Sequence, residues 1–374
     1  MIDKIFDDYR IVVCAGTGGV GKTTVSAAMG IAAAKQGKRV LVLTVDPARR
    51  LASALRLDGI DHQLTEIPLS ATPTHPETSS STGADVKPEG SSEKTTGRLW
   101  ISMLQPERIF EHFIDQAQVS NAEKQRLKQN PLFQQLTTSL SGSQEFTSLM
   151  WLQQLSASGD YDLIILDTPP SDHAIDFLHA PERIAALFEG TVAKFFAGRV
   201  KKMGLFNQLL IGSTQVWLKA LSKMTGAEFI EAVSDFVASV GPFSDVIAAR
   251  SRAAEALLKS DQTAFCLVVS PDPAKLRQGQ AFYQDLREAG YHLQGLIINR
   301  AYPRWFLDSP MSEVDTEADL QQRMSAFFRG RIEQVHRSAL IQGSGLKVLE
   351  LPELPGTLAG VSELELLAAY LDRS

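Results

Sequence analysis

The 374-residue chain carries only two cysteines, Cys14 and Cys266. Two thiols cannot staple a fold of this length, and each sits in an apolar, strand-like run where cysteine acts as a small buried hydrophobe. Such sparse usage suits a reducing compartment, so a cytoplasmic protein is expected. No apolar run reaches the roughly 18 residues of a membrane span. The start, Met1-Ile-Asp-Lys-Ile-Phe-Asp-Asp, is too acidic and too short in apolar length for a signal peptide. Positive charge is not in excess: 37 Lys and Arg stand against 43 Asp and Glu, a net charge of -6. That balance argues against a broad nucleic-acid surface, and no nucleic-acid partner is expected. What is present is 44% hydrophobic residues, enough for a substantial core in one large domain or two ordinary ones.

Apolar runs alternate with helical patterns. The strand candidates are Arg10–Ala15, Arg39–Val45, Leu99–Leu104, Tyr161–Leu166, Ala264–Ser270, Leu293–Asn299 and Leu346–Leu351. Several are near-continuous Val/Ile/Leu, as parallel strands covered on both faces require. The alternation predicts an α/β, doubly wound, mostly parallel sheet. Gly37 follows the first long helix as a left-handed C-cap, and Ser362 with Glu365 reads as a capping box for a final helix, Glu363–Leu371. Two regions break the rhythm. Residues 70–97 are dense in Ser, Thr, Pro and Glu and predict a disordered surface insertion. Residues 181–260 read as an inserted α-helical subdomain between core segments 1–180 and 261–374. Within it Phe196, Val200, Met203, Phe206 and Leu210 recur at steps of three and four, an amphipathic stripe interrupted by Gly198, Gly204 and Gly212. The stripe suits packing against the sheet or another subunit; Met and Phe beside flexible backbone also suit an adaptable groove for a hydrophobic client.

The first strand runs into Gly16-Thr17-Gly18-Gly19-Val20-Gly21-Lys22-Thr23-Thr24 and then a helix. This is the phosphate-binding loop pattern (Walker A) in its strand–loop–helix setting. Glycines let backbone N–H groups turn inward around phosphate oxygens, and the helix N-terminus adds partial positive charge. In this pattern Lys22 reaches the β- and γ-phosphates and Thr23 ligates Mg²⁺. Phosphoryl transfer further needs a positioned water and an acidic partner for the metal. Asp46 closes the second strand, at the rim where open α/β sheets bind ligands, and is placed to orient the attacking water. Asp167 ends the apolar run Leu163–Leu166 and suits Mg²⁺, acting through water. Pro169 and Pro170 follow it, and His173 is a candidate switch contact or a plain helix-start histidine. Asn299 ends a later strand with the donor and acceptor that an adenine edge needs, and Pro352 is placed to line the base pocket. Each of the last two also has the plainer reading of a strand-end turn.

Together these residues resemble the deviant phosphate-loop ATPases of the arsenite-pump and guided-entry (tail-anchored protein targeting) family, over nearly the whole chain. That family has Lys-Gly-Gly-Val-Gly-Lys-Thr-Thr where this chain has Thr17–Thr24. It has Asp-Pro-Ala-His where this chain has Asp46–Arg49, and Asp-Thr-Ala-Pro-Thr-Gly-His where this chain has Asp167–His173. The block Pro131–Leu155 and the run Ala174–Arg183 look closest to a bacterial subgroup labelled anion-transporting ATPases. The resemblance implies a P-loop NTPase fold and a cytosolic enzyme that hydrolyses ATP with Mg²⁺. It implies work as a homodimer, or as a heterodimer with a paralogue, in which a helical subdomain moves with nucleotide state, and a hydrophobic protein segment as one candidate client. Asn299 falls where the family recognises adenine.

Three departures stand out. Thr17 occupies the position from which the family's signature lysine reaches the partner's phosphates; Arg49, Arg50 or a partner's own lysine are the candidate replacements. No Cys-X-X-Cys follows Asn299, so no zinc clasp is expected. Two strand-buried cysteines cannot make a trithiolate metalloid site. Two other classes share such a loop: a partition or positioning ATPase, which usually carries a basic amphipathic terminal helix where this chain is acidic and apolar, and a nucleotide-gated interaction protein with little turnover.

Overall fold

The computed structural model describes residues 1–45, 64–69, 97–103, 106–130, 133–134, 141–169, 178, 235–236, 238–302, 316–354 and 360–371. The chain forms two compact units, one of residues 1–103, 158–174 and 261–374, the other of residues 104–157 and 175–260.

The first unit is built on one eight-stranded sheet. In chain order the strands are β1 (Ile11–Gly16), β2 (Arg39–Thr44), β3 (Thr65–Ile67), β4 (Arg98–Met103), β5 (Leu163–Asp167), β6 (Thr263–Val269), β7 (Leu293–Ala301) and β8 (Lys347–Pro352). Their order across the sheet is β3-β4-β2-β5-β1-β6-β7-β8. Every neighbouring pair is parallel except β3 with β4. All seven expected strands are present, and the expected mostly parallel α/β fold is the observed one. β3 is an addition, three residues long at the sheet edge, where Glu66 pairs with Arg98 of the next strand. A short charged edge discourages further strand pairing.

Helices cover both faces. On one side α1 (Ile2–Asp8) buries Ile2, Ile5 and Phe6, and α2 (Lys22–Lys35) lies beneath α10 (Val361–Leu371). α2 is Ala-rich and buried almost all round, which is why its sequence shows no polar stripe. Gly37 takes φ +94 after α2, as expected. The final helix differs from expectation at its start: it begins at Val361, so Ser362 lies inside it, and the buried Glu365 pairs with Lys35 at 3.4 Å. On the other side α7 (Pro273–Glu288) starts with Asp272 accepting from the amides of Ala274 (2.8 Å) and Lys275 (3.0 Å). Pro273 occupies the first turn, where no amide partner is needed. Between α7 and β8 lie α8 (Thr316–His336) and α9 (Ala339–Ser344).

The second unit is helical where described: α3 (Pro106–Gln116), α4 (Asn121–Gln129), α5 (Ser141–Ser158) and α6 (Ser244–Leu258), the last following a tight turn at Gly241–Phe243. Its core has two adjoining clusters, Ile109, Phe113 and Met150, and Ile114, Ala117, Leu127, Val240 and Phe243. Ser120 and Glu123 form a reciprocal capping box at the start of α4. Asp235 accepts from Arg126 and, at 3.0 Å, from Asn130, and the Arg126 hydrogen bond draws its carboxyl below the usual range. The expected subdomain 181–260 falls within this unit's second segment. Its stripe, Phe196 to Leu210, lies outside the described residues, as do residues 70–96 of the expected insertion.

Candidate nucleotide site

The central strand β1 delivers the glycine-rich loop to the carboxyl rim of the sheet. At Gly16 it lies so close to β6 that any Cβ would strike the Val268 carbonyl oxygen. The loop ends at Gly21, the N-cap of α2, with φ +87, a left-handed conformation that favours glycine. A Cβ there would also collide with the Asn299 side-chain amide. Asn299 explains that crowding: its Nδ2 donates to the Val20 carbonyl at 2.8 Å, bracing the loop from β7. Asn299 is buried, as is Val20.

Lys22 is buried and folds over the loop, its Nζ donating to the carbonyls of Gly16 (3.0 Å) and Thr17 (3.2 Å). One turn into the site, the Thr23 hydroxyl donates to Asp167 Oδ2 at 2.7 Å. Thr44, the last residue of β2, donates to the same oxygen at 3.1 Å. Asp167 is only 1% exposed, and β-sheet register explains its place: Cys14 is its neighbour on β1 and Thr44 its neighbour on β2. Thr168 ties the next residue to β1, donating from its amide (3.3 Å) and its hydroxyl (2.9 Å) to the Cys14 carbonyl. The ends of β1, β2 and β5 are thereby held together around one carboxylate. Burial pushes the Cys14 thiol up to about 12, with the Asp167 charge adding to the rise and Lys22 opposing it. Cys266, beside it in register on β6, is raised well above 9.0, also by burial.

The structure therefore gathers Val20, Gly21, Lys22, Thr23, Asp167 and Asn299 into one site. Gly18 is half-buried, Gly19 exposed and Thr24 half-buried on the first turn of α2, while Pro169 is half-buried beyond β5. Pro352 ends β8 opposite Ala301 of β7. Asp46, Arg49, Arg50 and His173 lie outside the described residues. Thr17 is wholly buried, and its hydroxyl has no hydrogen-bond partner among the described residues. Sequence reasoning missed one member, Thr44, and one role, that of Asn299. Thr44 carried one signal, a hydroxyl closing an otherwise apolar strand. The loop-bracing role of Asn299 carried none, because it depends on contact across 279 positions.

A glycine cradle, a buried lysine on its rim, and a threonine hydroxyl meeting an aspartate are the donor set that a magnesium–nucleotide complex requires. Fold and site together define a phosphate-loop nucleoside triphosphatase. The family description that matches, "Anion-transporting ATPase", spans residues 9–372, and the chain belongs to this family. Among similar proteins, the ATPase GET3 of Kluyveromyces lactis is 23% identical over 97% of this chain and 89% of its own length. The arsenical pump-driving ATPase of Acidiphilium multivorum is 26% identical over 77% of this chain, which spans 39% of that protein. A relative from Aquifex aeolicus is 24% identical over 79% of this chain, which spans 64% of it. Among the described residues no helix is long and apolar enough to cross a membrane.

Proposed function

We propose that this chain binds and hydrolyses Mg-ATP in the cytoplasm and uses the nucleotide cycle to rearrange a dimer and its helical unit. The observation that carries the reading is the meeting of Thr23 and Asp167 at 2.7 Å beside a loop that already holds Lys22. Loop amides and Lys22 hold the phosphates. Thr23 directly, and Asp167 through water, hold the metal, which when bound withdraws charge from the phosphoryl oxygens. Asp167 is kept in place by Thr44, so the acid does not reorganise between cycles. Asp46 orients the attacking water and accepts its proton. Asn299 carries out two tasks, bracing the loop and reading the adenine edge, with Pro352 lining the base. Pro169 relays occupancy away from Asp167, and His173 is its switch contact.

Steady-state ATP turnover with Lys22→Ala as blank tests the reading; a wild-type rate equal to the blank overturns hydrolysis. Light scattering with and without ATP tests the dimer. Pull-down with the Asp46→Asn variant, held before hydrolysis, should enrich hydrophobic protein segments; a client set that ignores nucleotide state sinks that role. A partner paralogue that supplies the missing cation is the heterodimer version, and unchanged single-turnover rates on charge removal at Arg49 and Arg50 favour it over the in-chain version.

One observation favours a second reading, a nucleotide-gated interaction protein with little turnover. Position 17 is neutral and faces the interior, so it offers no charge to a partner's phosphates. Turnover at the blank rate together with tight ATP binding would select this reading.

A further inference from the structure

One residue beside the site is held in a costly backbone conformation. Arg300 has φ +56, the only positive φ at a non-glycine among the described residues. An L-residue in this region costs about 1 kcal/mol or more, and such residues cluster where a ligand is held. The cause is a bulge. Along the β7–β8 ladder Ile298 pairs with Glu350, Asn299 with Leu351 and then Ala301 with Pro352, so Arg300 is the extra residue. Both neighbours are anchored. Asn299 is fixed to Val20 at 2.8 Å, and Ala301 is buried with its carbonyl accepting from the Glu353 amide at 3.2 Å. Between these two buried residues Arg300 is exposed, the one exposed side chain of β7. The bulge thus leaves the Arg300 side chain exposed at the carboxyl rim of the sheet, directly after Asn299 and before Ala301, the ladder partner of Pro352.

We infer that Arg300 is a base-binding residue for the nucleotide, its planar guanidinium lying against the face of the purine whose edge Asn299 reads. This deepens the ATP-binding reading and rests on it. The chemistry favours the base over the phosphates. Lys22 and the loop amides already serve the phosphate end, whereas Arg300 follows Asn299 in the chain and adjoins Ala301, the ladder partner of Pro352. A guanidinium stacks on a flat π-system and contributes more than a point charge does there.

The test compares calorimetric binding of Mg-ATP and of Mg-tripolyphosphate, which lacks the base, to wild type, Arg300→Gly, Arg300→Lys and Lys22→Ala. Glycine suits the observed φ, so Arg300→Gly keeps or raises the melting temperature without ligand. It should weaken ATP roughly 2- to 30-fold, the range from an exposed to a desolvated cation–π contact, and leave tripolyphosphate unchanged. Arg300→Lys keeps the charge but not the plane and should fall between. Unchanged ATP affinity in Arg300→Gly overturns the inference. Equal weakening of both ligands also overturns it, making Arg300 a phosphate contact, and a fall in melting temperature that tracks the affinity loss makes it structural. A wild type that binds neither ligand better than Lys22→Ala overturns the ATP-binding reading itself.

Discussion

The sheet unit and the helical unit are stabilised in different ways. In the first, the side chains of the candidate site are fixed by hydrogen bonds among strand ends, the glycine loop and the start of α2: Thr44 and Thr23 to Asp167, Thr168 to Cys14, Asn299 to Val20. In the second, among the described residues, apolar clusters around Phe113 and Phe243 set position, joined by surface pairs such as Arg126–Asp235 and by a half-buried contact of Gln154 with His112 between α5 and α3. Directional bonds fix atoms to a fraction of an ångström, which phosphoryl transfer needs. Apolar packing resists loss of volume but tolerates sliding and repacking, which a moving element needs. The comparison predicts that chemistry and stability can be damaged separately.

The largest separation should come from Lys22→Ala. Removing the buried ammonium should lower ATP turnover at least about 100-fold, the scale for a lost preorganised charge contact. The circular-dichroism spectrum should stay that of the wild type; a lost fold would mean the loop and the sheet are not separable. Next is Phe243→Ala. Emptying that buried site should cost the helical unit about 3 kcal/mol, seen as earlier urea unfolding and faster proteolysis of residues 104–157. ATP affinity should stay at the wild-type value, and a parallel fall would break the comparison.

A third effect concerns the sheet unit alone. The Cys14 and Cys266 thiols are raised by burial, so the folded state keeps them protonated while an unfolded chain ionises near 9.0. Their contribution is fully present below about pH 9 and is lost as pH rises toward 12, at no more than about 1.4 kcal/mol per pH unit per thiol. Denaturant midpoints across that window should fall for the wild type and flatten in a Cys14→Ala, Cys266→Ala double variant. A wild type that shows no fall would mean the thiols are accessible. The smallest effect is Ser120→Ala, which removes the α4 cap and should cost about 1 kcal/mol. The change should appear in hydrogen exchange across Asn121–Gln129 and leave the nucleotide site untouched.

The sheet unit was also the more legible one in sequence. Buried parallel strands must be apolar on both faces, so seven of its eight strands appear as apolar runs, several of them near-continuous Val/Ile/Leu, and the glycine loop announces its own chemistry. β3 did not appear, because three residues in antiparallel pairing carry no period. α1 did not, because its seven residues make only about two turns, shorter than the pattern that reveals a helix. The capping-box pattern at Ser362 and Glu365 placed the helix start too late, because α10 already begins at Val361. In the site, Lys22, Thr23 and Asp167 were legible because motif spacing reports them. Thr44 as the second donor to Asp167 was not, and neither was the Asn299 brace, since both arise from neighbours that only the strand order brings together. The extent of the helical unit was less legible: Leu104–Ala157 falls within the expected core segment 1–180, and it groups with residues 175–260.

Gly16 carries a consequence at the level of inheritance. Most positions in a protein accept several alleles, because a neighbour can shift to admit a new side chain. At Gly16 the obstacle is the Val268 backbone itself, part of a strand already paired on both sides. No rotamer change relieves it. In a saturation library selected for folded, nucleotide-competent protein, codon 16 should therefore retain a single amino acid, and nearby suppressor mutations should not rescue the others. Mutational tolerance here is set by two main chains passing too close for a methyl group.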